Sequence, residues 1–149
     1  MGQGSIIGYE INEKTCQISF YNEKDLEPDT LEVDTDNYQI PLIIGKLRDT
    51  WAYGKEAKRL VTIKDGFTAT RLLSKSLAGD KIEFGEETYD AVWLLSQFIQ
   101  MSLQSFPEID GIVFTVPSLS EEMAQMLRGI AVRMNIDKRH IFIQDYKES

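Results

Sequence analysis

Cysteine is nearly absent from this chain of 149 residues: there is one, Cys16. That excludes an intramolecular disulfide and a thiolate metal cluster. Histidine is equally scarce, with His140 alone among Lys138 and Arg139. One histidine, one cysteine and no nucleophile elbow leave a Ser-His or Cys-His triad without parts, and structural zinc without enough ligands. No apolar run approaches the ~20 residues a membrane helix needs, and the N-terminus has no signal-peptide pattern. These absences lead to the expectation of a cytoplasmic protein of a reducing compartment. Positive charge is also in short supply, with 16 Lys and Arg against 24 Asp and Glu, a formal net charge of −8. Such a chain is repelled by phosphate backbones and anionic membranes, so neither nucleic acid nor membrane is expected as a partner.

What is present is an ordinary globular composition, 42% hydrophobic and 27% charged, enough for one domain with a real core. The clearest pattern lies at 110–145. DGIVFTVP (110–117) is an apolar, mostly β-branched or aromatic run between Gly111 and Pro117, and predicts a strand covered on both faces. Ser118 or Ser120 can cap the following helix, and Ser118 with Glu121 fits a capping box. Met123, Met126, Leu127, Ile130, Ala131 and Met134 recur at helical spacing. Residues 141–143 form the next strand, with Asp145 expected just beyond it. A strand–helix–strand unit of this length favours a parallel pair with a right-handed crossover.

Upstream, residues 5–11 and 16–20 predict a hairpin around a turn at Asn12, Glu13 and Lys14, with Cys16, Ile18 and Phe20 on its buried side. Residues 22–37 (NEKDLEPDTLEVDTDN) read as an acidic solvated loop or edge excursion. Residues 38–44 predict a strand pushed to an edge by Pro41, and 46–53 a short strand through Trp51. A short helix is expected to start in 54–60. Leu72, Leu73 and Leu77 anchor another in the ambiguous stretch 66–80, before a turn at 78–80. Glu86 and Glu87 are expected to open the longest helix, where acids suit the positive N-terminal end. Tyr89, Val92, Trp93, Leu95, Phe98, Ile99 and Leu103 give that helix its apolar face, and Phe106 and Pro107 end it. The sum is a mixed α/β sheet with flanking helices.

Three features are candidates for chemistry. Glu10, at the end of the first strand, can hold a metal-bound water, and the turn at 12–14 can offer backbone N–H groups to a phosphate. Each also reads as an ordinary charged residue beside a hairpin turn. Asp145 can orient water or Mg²⁺ through outer-shell contacts, or simply close a strand-exit turn. Arg71 and Lys75, basic in an acidic chain, can touch a phosphate or sit solvated. A metal-dependent nuclease built on Glu10, Asp145 and either Glu86 or Asp90 is the remaining alternative. Its weakness is the lack of a basic groove.

Several strings, in order, resemble the N-terminal lobe of the actin, DnaK-type chaperone and sugar-kinase ATPase superfamily, closest to the chaperone branch. IGYEI (7–11) with its hairpin resembles the first phosphate loop, I-G-I-D-L-G-T-T. WAYGKEAK (51–58) resembles V-G-x-x-A-K, and RLL (71–73) the stretch K-R-L-I. VFTVP (113–117) and its helix resemble V-I-T-V-P-A and the helix that follows it. IFIQD (141–145) resembles R-I-I-N-E-P. The resemblance implies a ribonuclease-H-like fold over residues 1–149, the first lobe of a longer two-lobed protein that binds Mg·ATP or Mg·ADP between lobes. The second lobe would be its partner, with an unidentified protein as a further one.

By that resemblance Glu10 stands where the family has the aspartate acting on the metal's water shell, and Asp145 where it has the glutamate of N-E-P. Asn12, Glu13 and Lys14 occupy the phosphate loop in place of a glycine and two threonines, and Thr70 stands where the chaperones carry a catalytic lysine. A glutamate facing a triphosphate costs of order 1 kcal/mol at surface-like dielectric. The expectation is a lobe with degenerate catalytic motifs, inactive as an ATPase by itself. The alternative is a non-catalytic interaction module that kept the fold.

Overall fold

The computed structural model describes residues 5–21, 29–30, 39–106 and 108–145. In chain order the strands and helices are β1 (Ser5–Ile11), β2 (Thr15–Tyr21), β3 (Asp29–Thr30), β4 (Gln39–Pro41), β5 (Ile44–Leu47), β6 (Thr50–Tyr53), α1 (Lys55–Lys58), β7 (Gly66–Ala69), α2 (Leu72–Leu77), β8 (Lys81–Phe84), β9 (Glu87–Asp90), α3 (Ala91–Ser102), β10 (Ile109–Val116), α4 (Glu121–Arg133) and β11 (Ile141–Asp145). Short 3-10 turns follow α1 (Arg59–Thr62) and precede β11 (Lys138–His140). The chain forms two compact units. One holds residues 1–12, 16–39 and 104–149; the other holds 13–15 and 40–103.

The first unit is built on a mixed sheet whose strand order runs β11-β10-β1-β2-β3. The outer segments of the chain meet at its centre, where β1 lies parallel to β10 and antiparallel to β2. The predicted strand–helix–strand unit is present, with β10 and β11 parallel from Ile112 opposite Ile141 to Val116 opposite Asp145. The β-branched run at 112–116 is buried almost throughout because it is an inner strand. Along β1 the side chains of Ile7, Tyr9 and Ile11 are fully buried, and Phe114 meets Tyr9 edge-on at 5.7 Å between ring centres.

On α4, Met123, Leu127, Ile130 and Ala131 are buried, as the helical spacing requires. Ser120 caps it, its hydroxyl accepting from the Met123 N–H at 3.1 Å, so the capping box expected from Ser118 and Glu121 is not formed. Cys16 is buried, and burial pushes its thiol up to about 12 while its Sγ donates to Tyr9 Oη. His140 is exposed, its Nδ1 lying 3.1 Å from the Asp110 carbonyl oxygen.

The acidic stretch 22–37 lies outside the described residues except at 29–30, where β3 pairs with β2. That strand is at the end of the sheet's strand order. The strand expected at 38–44 is interrupted. Pro41 ends β4, Ile43 N–H closes a tight turn onto the Pro41 carbonyl at 2.8 Å, and β5 begins at Ile44. Proline has no N–H for the ladder, so the break falls there.

The second unit contains a three-stranded antiparallel sheet, β6-β5-β7, and a separate hairpin, β8-β9. The single short strand expected over 46–53 is in fact the β5–β6 hairpin, turning at Arg48 and Asp49 with Arg48 at φ 57°. Helix α1 lies within the expected 54–60, and α2 lies where Leu72, Leu73 and Leu77 placed it. The largest departure is at 86–90. Glu86 and Glu87 do not open a helix: Gly85 (φ 67°) turns the chain, and Glu87–Asp90 pairs antiparallel with Lys81–Phe84.

The hairpin wins because Phe84 and Tyr89 bury their rings against Trp51, at 6.1 and 5.3 Å, which a helical turn there would forfeit. Lys46 secures the same packing. Its Nζ donates to Glu87 Oε1 at 2.9 Å and Tyr89 Oη at 3.0 Å, and lies 5.2 Å from the Trp51 ring centre. These hydrogen bonds, Tyr89 first and then Glu87, push Lys46 up to about 12 and hold the Glu87 carboxyl below its usual range. Helix α3 therefore starts at Ala91 and ends at Ser102, ahead of Phe106 and Pro107. At 12 residues it is one shorter than α4.

Candidate functional site

Glu10 is the next-to-last residue of β1 and is half-buried. Strand alternation points it away from Tyr9 and Ile11, onto the other face of the sheet. There the register sets it between Gln17 of β2 and Thr115 of β10, and Thr115 beside Gln144 of β11. Four polar side chains thus form one row across four strands. Gln144 Nε2 donates to Thr115 Oγ1 at 3.0 Å, which satisfies the buried threonine hydroxyl. The row offers one carboxylate, two amides and a hydroxyl, a set that suits a hydrogen-bonded polar group. Gln17, Thr115 and Gln144 were not singled out from sequence, although period-two alternation on adjoining strands puts them on Glu10's face.

Asp145 is the last residue of β11, paired with Val116, and not a residue beyond the strand. Its Oδ2 accepts from the Leu119 N–H at 2.9 Å, so it ties down the loop that leads into α4. The first turn of α4 carries Glu121 and Glu122, which complement the positive helix end and leave no demand there for a phosphate.

Glu13 of the hairpin turn belongs to the second unit. Its Oε1 accepts from the Ser74 N–H at 2.8 Å, and its Oε2 from the Ser74 hydroxyl at 2.6 Å. Ser74 is the third residue of α2, whose N-terminal position is taken by Arg71 in the left-handed region (φ 53°, ψ 42°) with no side-chain cap of its own. A helix start without a cap leaves orphan N–H donors; Glu13 satisfies one from 61 residues away. Lys14 contributes its carbonyl to the Leu42 N–H at 2.8 Å. Asn12 lies just past β1. Arg71 is exposed and Lys75 half-buried, on the first and last turns of α2.

Glu13→Ala should cost about 1 kcal/mol, in line with the loss of a helix cap, and should accelerate hydrogen exchange at the Ser74 amide. Glu13→Gln, which keeps an acceptor, should recover most of that. Unchanged exchange at Ser74 in the alanine variant would refute the tie.

The Mg·ATP that the resemblance implies does not fit these residues as it would place them. The phosphate-loop carboxylate of Glu13 sits where an anion at the start of α2 would be received, and Asp145 is engaged by a backbone N–H. Among the described residues no three His, Cys, Asp or Glu side chains come together as a metal group. No helix among the described residues is long and apolar enough to cross a membrane.

The fold defines a mixed α/β protein, with a mixed central sheet and flanking helices. Over residues 27–149 the chain matches the profile described as "Family of unknown function (DUF5716) C-terminal", and it belongs to that family. No curated protein matches it.

Proposed function

We infer that this chain is a ribonuclease-H-like lobe of the actin and DnaK-type kind that works as a protein-interaction scaffold and not as an ATP-hydrolysing one. Its carrying observation is the carboxylate of Glu13, bound by the N–H and hydroxyl of Ser74. At the loop where the resemblance would put the triphosphate, the chain supplies its own anion to its own helix. A bound phosphate would have to displace that contact and then face the freed carboxylate. The parallel β1–β10–β11 order around an N-terminal hairpin supports the topological half of this reading.

A second reading, a lobe that contributes part of a Mg·ATP or Mg·ADP site with degenerate motifs, rests on Glu10. That carboxylate is half-buried near the carboxyl end of β1, where open α/β sheets take their ligands. Calorimetric titration of Mg·ATP separates the two, run on this chain and on the longest polypeptide that contains it. The scaffold reading expects no binding heat from either. Binding by the longer form, weakened by Glu10→Ala or Asp145→Ala, would overturn it in favour of the second.

A further inference from the structure

The net charge of −8 conceals a sorting of charge along the fold. The second unit carries ten Lys and Arg against nine Asp and Glu; the first carries six against fifteen. Within the second unit the positive charge gathers on one short stretch. Residues 55–67 hold Lys55, Lys58, Arg59 and Lys64 against Glu56 and Asp65, all of them exposed. Arg59 is bridged to Glu56 at 3.0 Å, on the surface.

The same stretch displays apolar side chains. Val61 is 66% exposed, Ile63 42% and Phe67 38%, three of the seven exposed large hydrophobics among the described residues. The reason is local. Only Ala57 and Leu60 turn inward, to 0% and 7% exposure. Ile63 N–H bonds back to the Leu60 carbonyl at 3.1 Å, and Gly66 N–H to the Ile63 carbonyl at 3.0 Å. Two consecutive tight turns therefore hold Val61 and Ile63 on a projecting loop. Gly66 is required there: a Cβ would come within 2.8 Å of the Leu60 carbonyl oxygen.

We propose that this stretch docks the protein on an anionic lipid surface, with Val61 and Ile63 entering the headgroup boundary and Lys58, Arg59 and Lys64 meeting the lipid phosphates. Composition favours a membrane over a protein partner. Protein hot spots are rich in Trp, Tyr and Arg, and Lys is depleted from interfaces. Lysine with aliphatic residues and Phe is the pairing of interfacial membrane contacts. Charge within the second unit is nearly balanced, so the chain's acidic excess does not fall on the unit that carries this stretch.

The test is co-sedimentation of the full chain with vesicles of equal parts phosphatidylcholine and phosphatidylglycerol, and with phosphatidylcholine vesicles alone. Binding is expected to the mixed vesicles only and to weaken with salt. It should fall about tenfold or more in K58E/R59E and, separately, in V61D/I63D. Both pairs are surface positions, and circular dichroism checks that they stay folded. Absence of binding to the mixed vesicles at low salt would overturn the proposal. So would binding by V61D/I63D equal to that of the parent, which would make the contact purely ionic. Equal affinity for duplex DNA, indifferent to V61D/I63D, would assign the basic stretch to phosphate polymers and overturn it too.

Discussion

Phe114→Ala should be the most damaging single truncation in the first unit, costing about 3–5 kcal/mol. Phe114 has no exposed surface and contacts Tyr9 edge-on across the β1–β10 seam. Removing the ring leaves a cavity between two inner strands, both held at fixed spacing by ladder hydrogen bonds, so the site has little room to collapse. Against a typical total of 5–15 kcal/mol, that is a large share of the stability. Urea denaturation should show the midpoint falling sharply, and hydrogen exchange should show β1, β10 and β11 losing protection first. A loss below about 1 kcal/mol would mean that the sheet repacks freely, and would contradict the seam described here.

Gly45→Ala should be nearly as costly for a different reason, about 2–3 kcal/mol from overpacking. Gly45 is buried on the middle strand of the three-stranded sheet. A Cβ there would lie 2.8 Å from the Phe67 carbonyl oxygen and 2.9 Å from Leu60 Cδ1. The oxygen belongs to the β7 backbone, which pairs with β5 and cannot move without shifting the ladder. Gly129 provides the contrast. It lies within α4 with nothing within 4 Å of an added Cβ, so Gly129→Ala should stabilise by roughly 0.5–1 kcal/mol. Thermal melts of the two variants should move in opposite directions; a shift in the same direction would refute the steric account of Gly45.

The strand–helix–strand unit at 109–145 was legible because its information is local. A continuous apolar run, a capped amphipathic helix and a second run leave few alternatives. The β8–β9 hairpin was not legible for the opposite reason. Two glutamates ahead of an apolar periodicity look like a helix start, and only Gly85 signalled a turn. What decides the matter is Trp51, more than thirty residues earlier, whose indole the Phe84 and Tyr89 rings pack against.

The candidate site divides in the same way. Glu10 stands out as a carboxylate near the end of an apolar strand, and its row follows once the register is known. The capture of Glu13 by Ser74 has no local trace, because nothing in either segment specifies the other. The same holds for Asp145 and Leu119, 26 residues apart. Net charge was the least informative quantity, since a single sum over the chain averages a nearly balanced unit with an acidic one.

The position of β10 between β1 and β11 has a consequence for synthesis on the ribosome. β1 emerges well before its parallel neighbour, which is made about a hundred residues later. At 5–20 residues per second, β1 spends on the order of 5–20 seconds with one row of backbone donors and acceptors uncovered. During that interval only β2 shields the nascent hairpin, and its open side is a template for pairing with another chain. Slowed elongation across the intervening region should therefore raise misassembly more than slowing after Val116, once β10 can close the seam.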